Sequence, residues 1–249
     1  MTEAFRLTLP DEKSLMTELV RLGRHVDSIS RYLAAFEAGY FSHPDGRRDY
    51  LESVALAPPQ AAMISFLCRE CPTPVSVEIG FGMGSSACVI LGTRHWLKSP
   101  FEHFVFDPFG LPNGRGSVVD SYLVSEFGDV YRRVRKRSEV GLAQLIDDRG
   151  QGLAGLIFVD GSHRFENVMT DFVLADLACC EGGFIILDDA CFPAIETVVN
   201  YVQSNRLDYA VAHLAAPNLA VLKKCAADRR EWSAFTPFAV PQRKDWTPC

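Results

Sequence analysis

The residues of this chain best suited to chemistry are acids and glycines that close apolar runs. Glu78-Ile79-Gly80-Phe81-Gly82-Met83-Gly84-Ser85-Ser86 follows the β-rich run Val75-Ser76-Val77 directly and opens a helical pattern. Its glycines permit a tight turn and let a ligand approach the backbone closely. The turn lacks the Lys-Ser/Thr ending of a phosphate-gripping P-loop, which disfavours ATP hydrolysis. Ser85 also stands where the dinucleotide-binding pattern has its third glycine. An acid flanks the turn on each side: Glu78 two residues before Gly80, and Asp107 at the end of the next apolar run. A carboxylate at the position of Asp107 can accept hydrogen bonds from both ribose hydroxyls of a nucleoside.

A second set lies further on. Asp160-Gly161-Ser162-His163 follows Leu156-Ile157-Phe158-Val159, and Asp188-Asp189 follows Phe184-Ile185-Ile186-Leu187. If these runs are neighbouring strands, spaced about 4.8 Å, Asp160, Asp188 and Asp189 can converge on one point. Like charges so packed need a proton or a cation between them, and oxygen ligands without thiolates suit a hard ion such as Mg²⁺. A hydroxyl bound to that ion loses its proton more readily, and His163, three residues after Asp160, is the natural base. The competing structural reading makes these acids turn and cap residues and His163 a loop side chain hydrogen-bonded to a carboxylate.

The surrounding pattern must position these groups. From residue 74 to 224 short β-rich runs alternate with helical ones, the mark of βαβ units and a mostly parallel sheet. Strands are predicted at 75–79, 103–107, 130–137, 155–160 and 184–188, and helices at 85–97, 117–127, 139–148, 165–180 and 194–204. Two last runs, 209–214 and 219–224, read as a closing antiparallel hairpin. The fold expected is thus α/β: a Rossmann-like, mostly parallel seven-stranded sheet flanked by helices, with a C-terminal hairpin. Ahead of it, apolar residues recur every three or four positions over 11–38, which predicts one amphipathic helix. A second helix is expected to start after Pro58 and run to Cys71. Residues 1–73 therefore form a helical extension, 74–224 the main domain and 225–249 a tail. In an open α/β sheet ligands bind beyond the carboxyl ends of the strands. The extension, Tyr40-Phe41 and the segment 109–115 are the candidates to cover that cleft.

Composition narrows the functions available. The 249 residues carry 31 acids against 25 bases, a net charge of -6 that argues against a protein built to grip nucleic acid or an anionic membrane. Arg132, Arg133, Arg135, Lys136 and Arg137 form one basic cluster, read as the guard of an exposed edge strand. No apolar stretch reaches the roughly 20 residues that span a bilayer, and a cytoplasmic protein with reduced thiols is expected.

The glycine turn and its acids resemble the first motif, E/D-x-G-x-G-x-G, of class I S-adenosylmethionine-dependent methyltransferases, over roughly residues 74–224. That resemblance implies that Gly80, Gly82 and Gly84 line the methionine end of S-adenosyl-L-methionine, with Ser85 among the cofactor-binding residues. By the same resemblance Glu78 assists around its amino group, Asp107 holds the ribose and Ser138 contacts the adenine. The Asp-x-x-His segment and the acid pair resemble, more narrowly, metal-dependent O-methyltransferases related to catechol O-methyltransferase, most of all those acting on sugar hydroxyls. In that group the matching residues imply Asp160, Asp188 and Asp189 as Mg²⁺ ligands, with His163 as base. Asp189 departs from the Asn of the catechol branch. The implied activity is O-methylation of a small molecule (a sugar, diol or phenol), with the N-terminal helices available for homo-oligomerisation. Two alternatives share parts of the pattern: a metal-independent methyltransferase, and a nucleotide-dependent oxidoreductase on a Rossmann sheet.

Overall fold

A computed structural model describes residues 5–51, 56–108, 110, 114–214 and 217–242. Of the segment 109–115, Phe109 and residues 111–113 lie outside the described residues.

The predicted N-terminal helix is two helices, α1 (Glu12–Gly23) and α2 (Asp27–Ala38). Asp11 starts α1 by accepting the Ser14 amide at 3.0 Å, and Leu15, Leu19 and Leu22 form its buried face. The chain breaks at Arg24 to Val26, which turns α2 so that Ile29, Tyr32 and Ala35 are buried and Phe36 is exposed. Continuous apolar spacing concealed this rotation. Between α2 and α3 (Pro58–Glu70), strands β1 (Tyr40–Ser42) and β2 (Arg48–Tyr50) pair as an antiparallel hairpin, where only a mixed connecting segment was expected.

The main sheet has seven strands in the order β5-β4-β3-β6-β7-β9-β8. Strands β3 (Val75–Ile79), β4 (Glu102–Phe106), β5 (Tyr131–Val134), β6 (Ala154–Val159) and β7 (Cys179–Asp188) run parallel. The hairpin of β8 (Tyr209–Leu214) and β9 (Leu219–Lys224) closes the far edge antiparallel, as its spacing predicts. Helices α4 (Ser85–Trp96), α5 (Ser117–Phe127), α6 (Ser138–Arg149), α7 (Phe165–Ala178) and α8 (Pro193–Asn205) connect the strands. Every residue of β6 is buried, as a strand covered on both faces requires.

Alternation divides the core. Leu156, Phe158, Phe184 and Ile186 face one layer with α1 to α5, while Ile157, Val159, Ile185 and Leu187 face the other with α6 to α8. The N-terminal helices therefore share a core with the sheet. At Gly92 of α4 a Cβ would come within 2.4 Å of Ser28 Oγ, so the missing side chain lets α2 lie against α4.

The basic run is an edge strand in part. Pairing ends at Val134, and within β5 Arg133 Nη1 binds Asp120 at 2.8 Å while Arg132 meets Glu102 at 3.4 Å. Among the described residues no helix is long and apolar enough to cross a membrane.

Candidate active site

Strand register sets the site. Phe106 pairs with Ile79, Ile79 with Val159 and Val159 with Leu187, straight across β4, β3, β6 and β7. The residues one step beyond, Asp107, Gly80, Asp160 and Asp188, consequently stand in one row along the carboxyl edge. The strand order reverses between β3 and β6, the position where open α/β sheets leave a crevice. A cleft of 660 Å³ occupies it, lined by Gly80, Gly82, Asp107, Ser138, Asp160, His163, Asp188 and Asp189, with Leu56 and Gln60 from the N-terminal segment.

The glycine turn is dictated by contact as much as by conformation. Gly80 has φ +91°, and a Cβ there would lie 2.0 Å from the Asp160 carbonyl oxygen. Gly84 caps α4 with φ +79°, and its Cβ would strike the Phe81 ring at 2.6 Å. Gly84 and Ser85 sit behind the cleft wall, where the Ser85 hydroxyl is buried without a hydrogen bond.

Glu78 does not face the cleft as expected. It lies within β3, one residue short of the strand end, so its side chain projects from the sheet face toward α4 and is fully buried. One oxygen accepts from Ser86 Oγ at 2.6 Å and the other meets His103 Nε2 at 3.0 Å. The far ring nitrogen of His103 meets Ser76 Oγ at 3.0 Å. Glu78 thus ties the first turn of α4 to β4 from beneath the glycine turn.

Asp107 does reach the cleft. Its two oxygens accept the Phe81 amide at 3.1 Å and the Gly110 amide at 2.9 Å. Arg133, with its side chain only 10% exposed, approaches the same carboxylate at 3.8 Å and covers the Phe81 ring at 4.0 Å. Sequence reasoning counted Arg133 with the exposed basic cluster. The strand expected at 130–137 contained Arg133; what the sequence did not show is the direction of its side chain, which lies inward against Asp120 and Asp107.

Ser138 opens α6 and donates its hydroxyl proton to Asp171 Oδ1. Asp171 also lines the cleft and was missed, although an acid among Val168, Phe172 and Ala175 on the buried face of α7 marks it. Burial pushes its carboxyl up to about 6.

The acid centre differs in detail from the expected ligand set. Asp160, His163 and Asp189 bring one ligand atom each within 4.8 Å of one another. His163 Nε2 lies 3.0 Å from Asp189 Oδ2, and its ring stacks on Phe192 at 4.6 Å and 7°. Asp189 has φ +51°, a left-handed conformation stabilised by Asn218 of the β8–β9 turn. The Asn218 amide donates to Asp189 Oδ1 at 3.1 Å while its own oxygens accept the amides of Cys191 and Ala190. Asp188 stands beside this group rather than in it. Its Oδ1 accepts Gln60 Nε2 at 2.6 Å and the Asp189 amide at 2.8 Å.

Burial, then the charges of Asp188 and Asp189, hold the Asp160 carboxyl well above the usual carboxylate range. Burial and the neighbouring Asp189 raise Asp188 to about 7. The hydrogen bond to Asp189 holds His163 above its ordinary value. Such a cluster is poised to take up a proton or a cation, and the imidazole beside it can accept a proton from a hydroxyl.

The fold defines a Rossmann-like α/β protein with its ligand cleft at the switch point of the sheet. Comparison with known families is more specific: residues 77–190, which contain the glycine turn and both acid segments, match the model of a methyltransferase domain family. Solved structures agree on the fold. An S-adenosylhomocysteine-bound Podospora anserina methyltransferase, PaMTH1, superposes with a TM-score of 0.58 at 14% identity, over 89% of this chain and 100% of that one. CalS11, a TDP-rhamnose 3'-O-methyltransferase of calicheamicin biosynthesis, gives 0.53 at 16% identity, over 90% and 98%. The O-methyltransferase NovP gives 0.56 at 11% identity, over 87% and 100%. No curated protein matches the sequence.

Proposed function

We propose that the chain transfers a methyl group from S-adenosyl-L-methionine to a hydroxyl of a small molecule, with the help of a divalent cation such as Mg²⁺. The observation that carries this reading is the single row of Asp107, Gly80, Asp160 and Asp188 on one sheet edge, with His163 and Asp189 beside it. A methyltransferase domain over these residues favours methyl transfer above hydride transfer on the same type of sheet. The small-molecule acceptor named for CalS11, and the O-methyl transfer named for NovP, support the same direction.

The residues fit the groups this reaction needs. The backbone of Gly80 and Gly82 leaves room for close approach, and Asp107 is oriented at the cleft edge to accept hydrogen bonds from a ribose. Ser138 and Asp171 supply polar contacts at the same end of the cleft. Glu78 acts indirectly here, by fixing α4 under the turn. Asp160 and Asp189, half-buried, and Asp188, buried, present oxygen donors in a mutually repelling set, which is the donor chemistry of a hard cation site. When bound, a divalent cation lowers the pKa of a hydroxyl. His163 accepts the hydroxyl proton as the oxygen attacks the methyl carbon; the new O–C bond forms while the S–C bond breaks. Leu56 and Gln60 on the cleft wall support a covering role for the N-terminal segment.

The His163–Asp189 contact also supports a second reading, in which Asp189 orients the imidazole and no metal takes part. Turnover of an accepted hydroxyl substrate, measured with Mg²⁺ and with EDTA, separates the two. Activity abolished by EDTA and by Asp160→Ala, with S-adenosylhomocysteine binding retained, is expected. Full activity in EDTA selects the metal-free reading, and no affinity for S-adenosylhomocysteine by calorimetry overturns both.

A further inference from the structure

One contact at the acid centre comes from the chain ahead of the matched residues 77–190. Gln60 belongs to the first turn of α3, 128 residues before Asp188, and its side chain is buried against the cleft. Its amide is held at both ends. Oε1 accepts the Ala57 amide at 2.7 Å, and Nε2 donates to Asp188 Oδ1 at 2.6 Å. The Ala57 N–H can only donate, so it fixes which end of the Gln60 amide faces the acid. A donor must therefore point at Asp188.

The consequence falls on the geometry of the carboxylate. Asp188 Oδ1 receives two donors, Gln60 Nε2 and the Asp189 amide, which lock the carboxylate plane and, among the described residues, leave Oδ2 as its free oxygen. Pro58 and Pro59 fix the backbone at the start of α3, so the anchor of Gln60 is itself rigid.

We propose that Gln60 is a positioning residue for the acid centre: by clamping Asp188 Oδ1 it presents Oδ2 to a divalent cation, so the N-terminal segment completes the site. This rests on the cation-dependent reading above. Groups that orient metal ligands typically set affinity by about 10–100-fold, and loss of the clamp belongs in that range.

The test uses Mn²⁺ as the probe, with the full chain, and reads binding by electron paramagnetic resonance of free Mn²⁺ in the absence of methyl acceptor. Gln60→Met keeps the side-chain volume but removes both hydrogen bonds; about tenfold weaker Mn²⁺ binding is expected, with S-adenosylhomocysteine affinity unchanged. Ala57→Pro keeps Gln60 but removes the N–H that anchors it, and weakens Mn²⁺ binding by a smaller factor. The φ of −73° at Ala57 accommodates proline, so this variant tests the clamp if Gln60→Met does not fold. Melting curves accompany both. Lower melting temperatures with unchanged Mn²⁺ affinity make Gln60 a structural residue only and overturn the proposal, as does tighter binding. Mn²⁺ binding that survives in Asp160→Asn, or is missing from the unaltered protein, overturns the cation reading itself, and the clamp falls with it.

Discussion

His163 and Asp189 meet at 3.0 Å although 26 positions separate them, and the stacked Phe192 ring holds the imidazole in that contact. An imidazole with one nitrogen on a carboxylate and one face on a phenyl ring has little rotational freedom, as a general base requires. His163→Ala is expected to lower kcat by about 10²–10⁴-fold. Calorimetry should find S-adenosylhomocysteine affinity within a factor of a few of the parent, because His163 is paired with Asp189 at the acid centre rather than with the residues proposed for the cofactor. A fall in cofactor affinity equal to the fall in rate would assign His163 to binding instead.

Gly80 tests how closely the two halves of the site are joined. Its φ of +91°, and the 2.0 Å that would separate a Cβ at this position from the Asp160 carbonyl oxygen, leave no space for a side chain. Gly80→Ala must push β3 and β6 apart at their carboxyl ends or twist the turn. A loss of about 2–4 kcal/mol in urea unfolding is expected, the range of a strained backbone combined with a steric clash. Gly39→Ala, with a similar φ of +80° but open space around it, should cost clearly less. Equal losses would mean that backbone conformation alone matters at Gly80.

Much of this arrangement was legible in the sequence because parallel strands announce themselves as apolar runs and their last residues then share an edge. Asp107, Asp160 and Asp188 each follow such a run, and register needed only to align them. What stayed hidden depends on side-chain direction or on distant pairing. Glu78 reads as an acid of the glycine turn, but it stands one residue inside the end of β3, which turns its carboxylate inward to Ser86 and His103. Gln60 sits in a separate helix, and nothing in its neighbourhood signals an acid 128 residues away. The break between α1 and α2 is invisible to periodicity because apolar spacing continues through it.

Asp171 gives the protein a pH dependence of its own. Burial raises its carboxyl to about 6, against about 3.9 in an unfolded chain. The folded state therefore holds this proton more tightly, so the contribution to stability is complete below about pH 4 and is lost as pH rises through 6. Asp171→Asn stays neutral and keeps an acceptor for the Ser138 hydroxyl. It is expected to be more stable than the parent at pH 8 by about 1–3 kcal/mol, a gain that shrinks toward pH 4. Urea unfolding at both pH values checks this. A gain independent of pH would remove titration of Asp171 from the account.

Asp160 should show opposite signs with and without a cation. In EDTA its carboxyl is buried beside Asp188 and Asp189, and those like charges disfavour the folded state unless a proton is taken up. Asp160→Asn removes one charge from the set and is expected to raise the melting temperature in EDTA at pH 8. With Mg²⁺ at about 100 times its dissociation constant, the parent gains about 2.7 kcal/mol by mass action. For a chain of this length that corresponds to a rise of about 5–10 °C in melting temperature. The variant, having lost an oxygen ligand, should gain little. The two melting curves therefore exchange order when Mg²⁺ replaces EDTA, which neither simple surface stabilisation nor a general salt effect produces. If Mg²⁺ raises both proteins equally, the cation binds elsewhere on the acidic surface, and the metal-free pairing of His163 with Asp189 becomes the working state of the site.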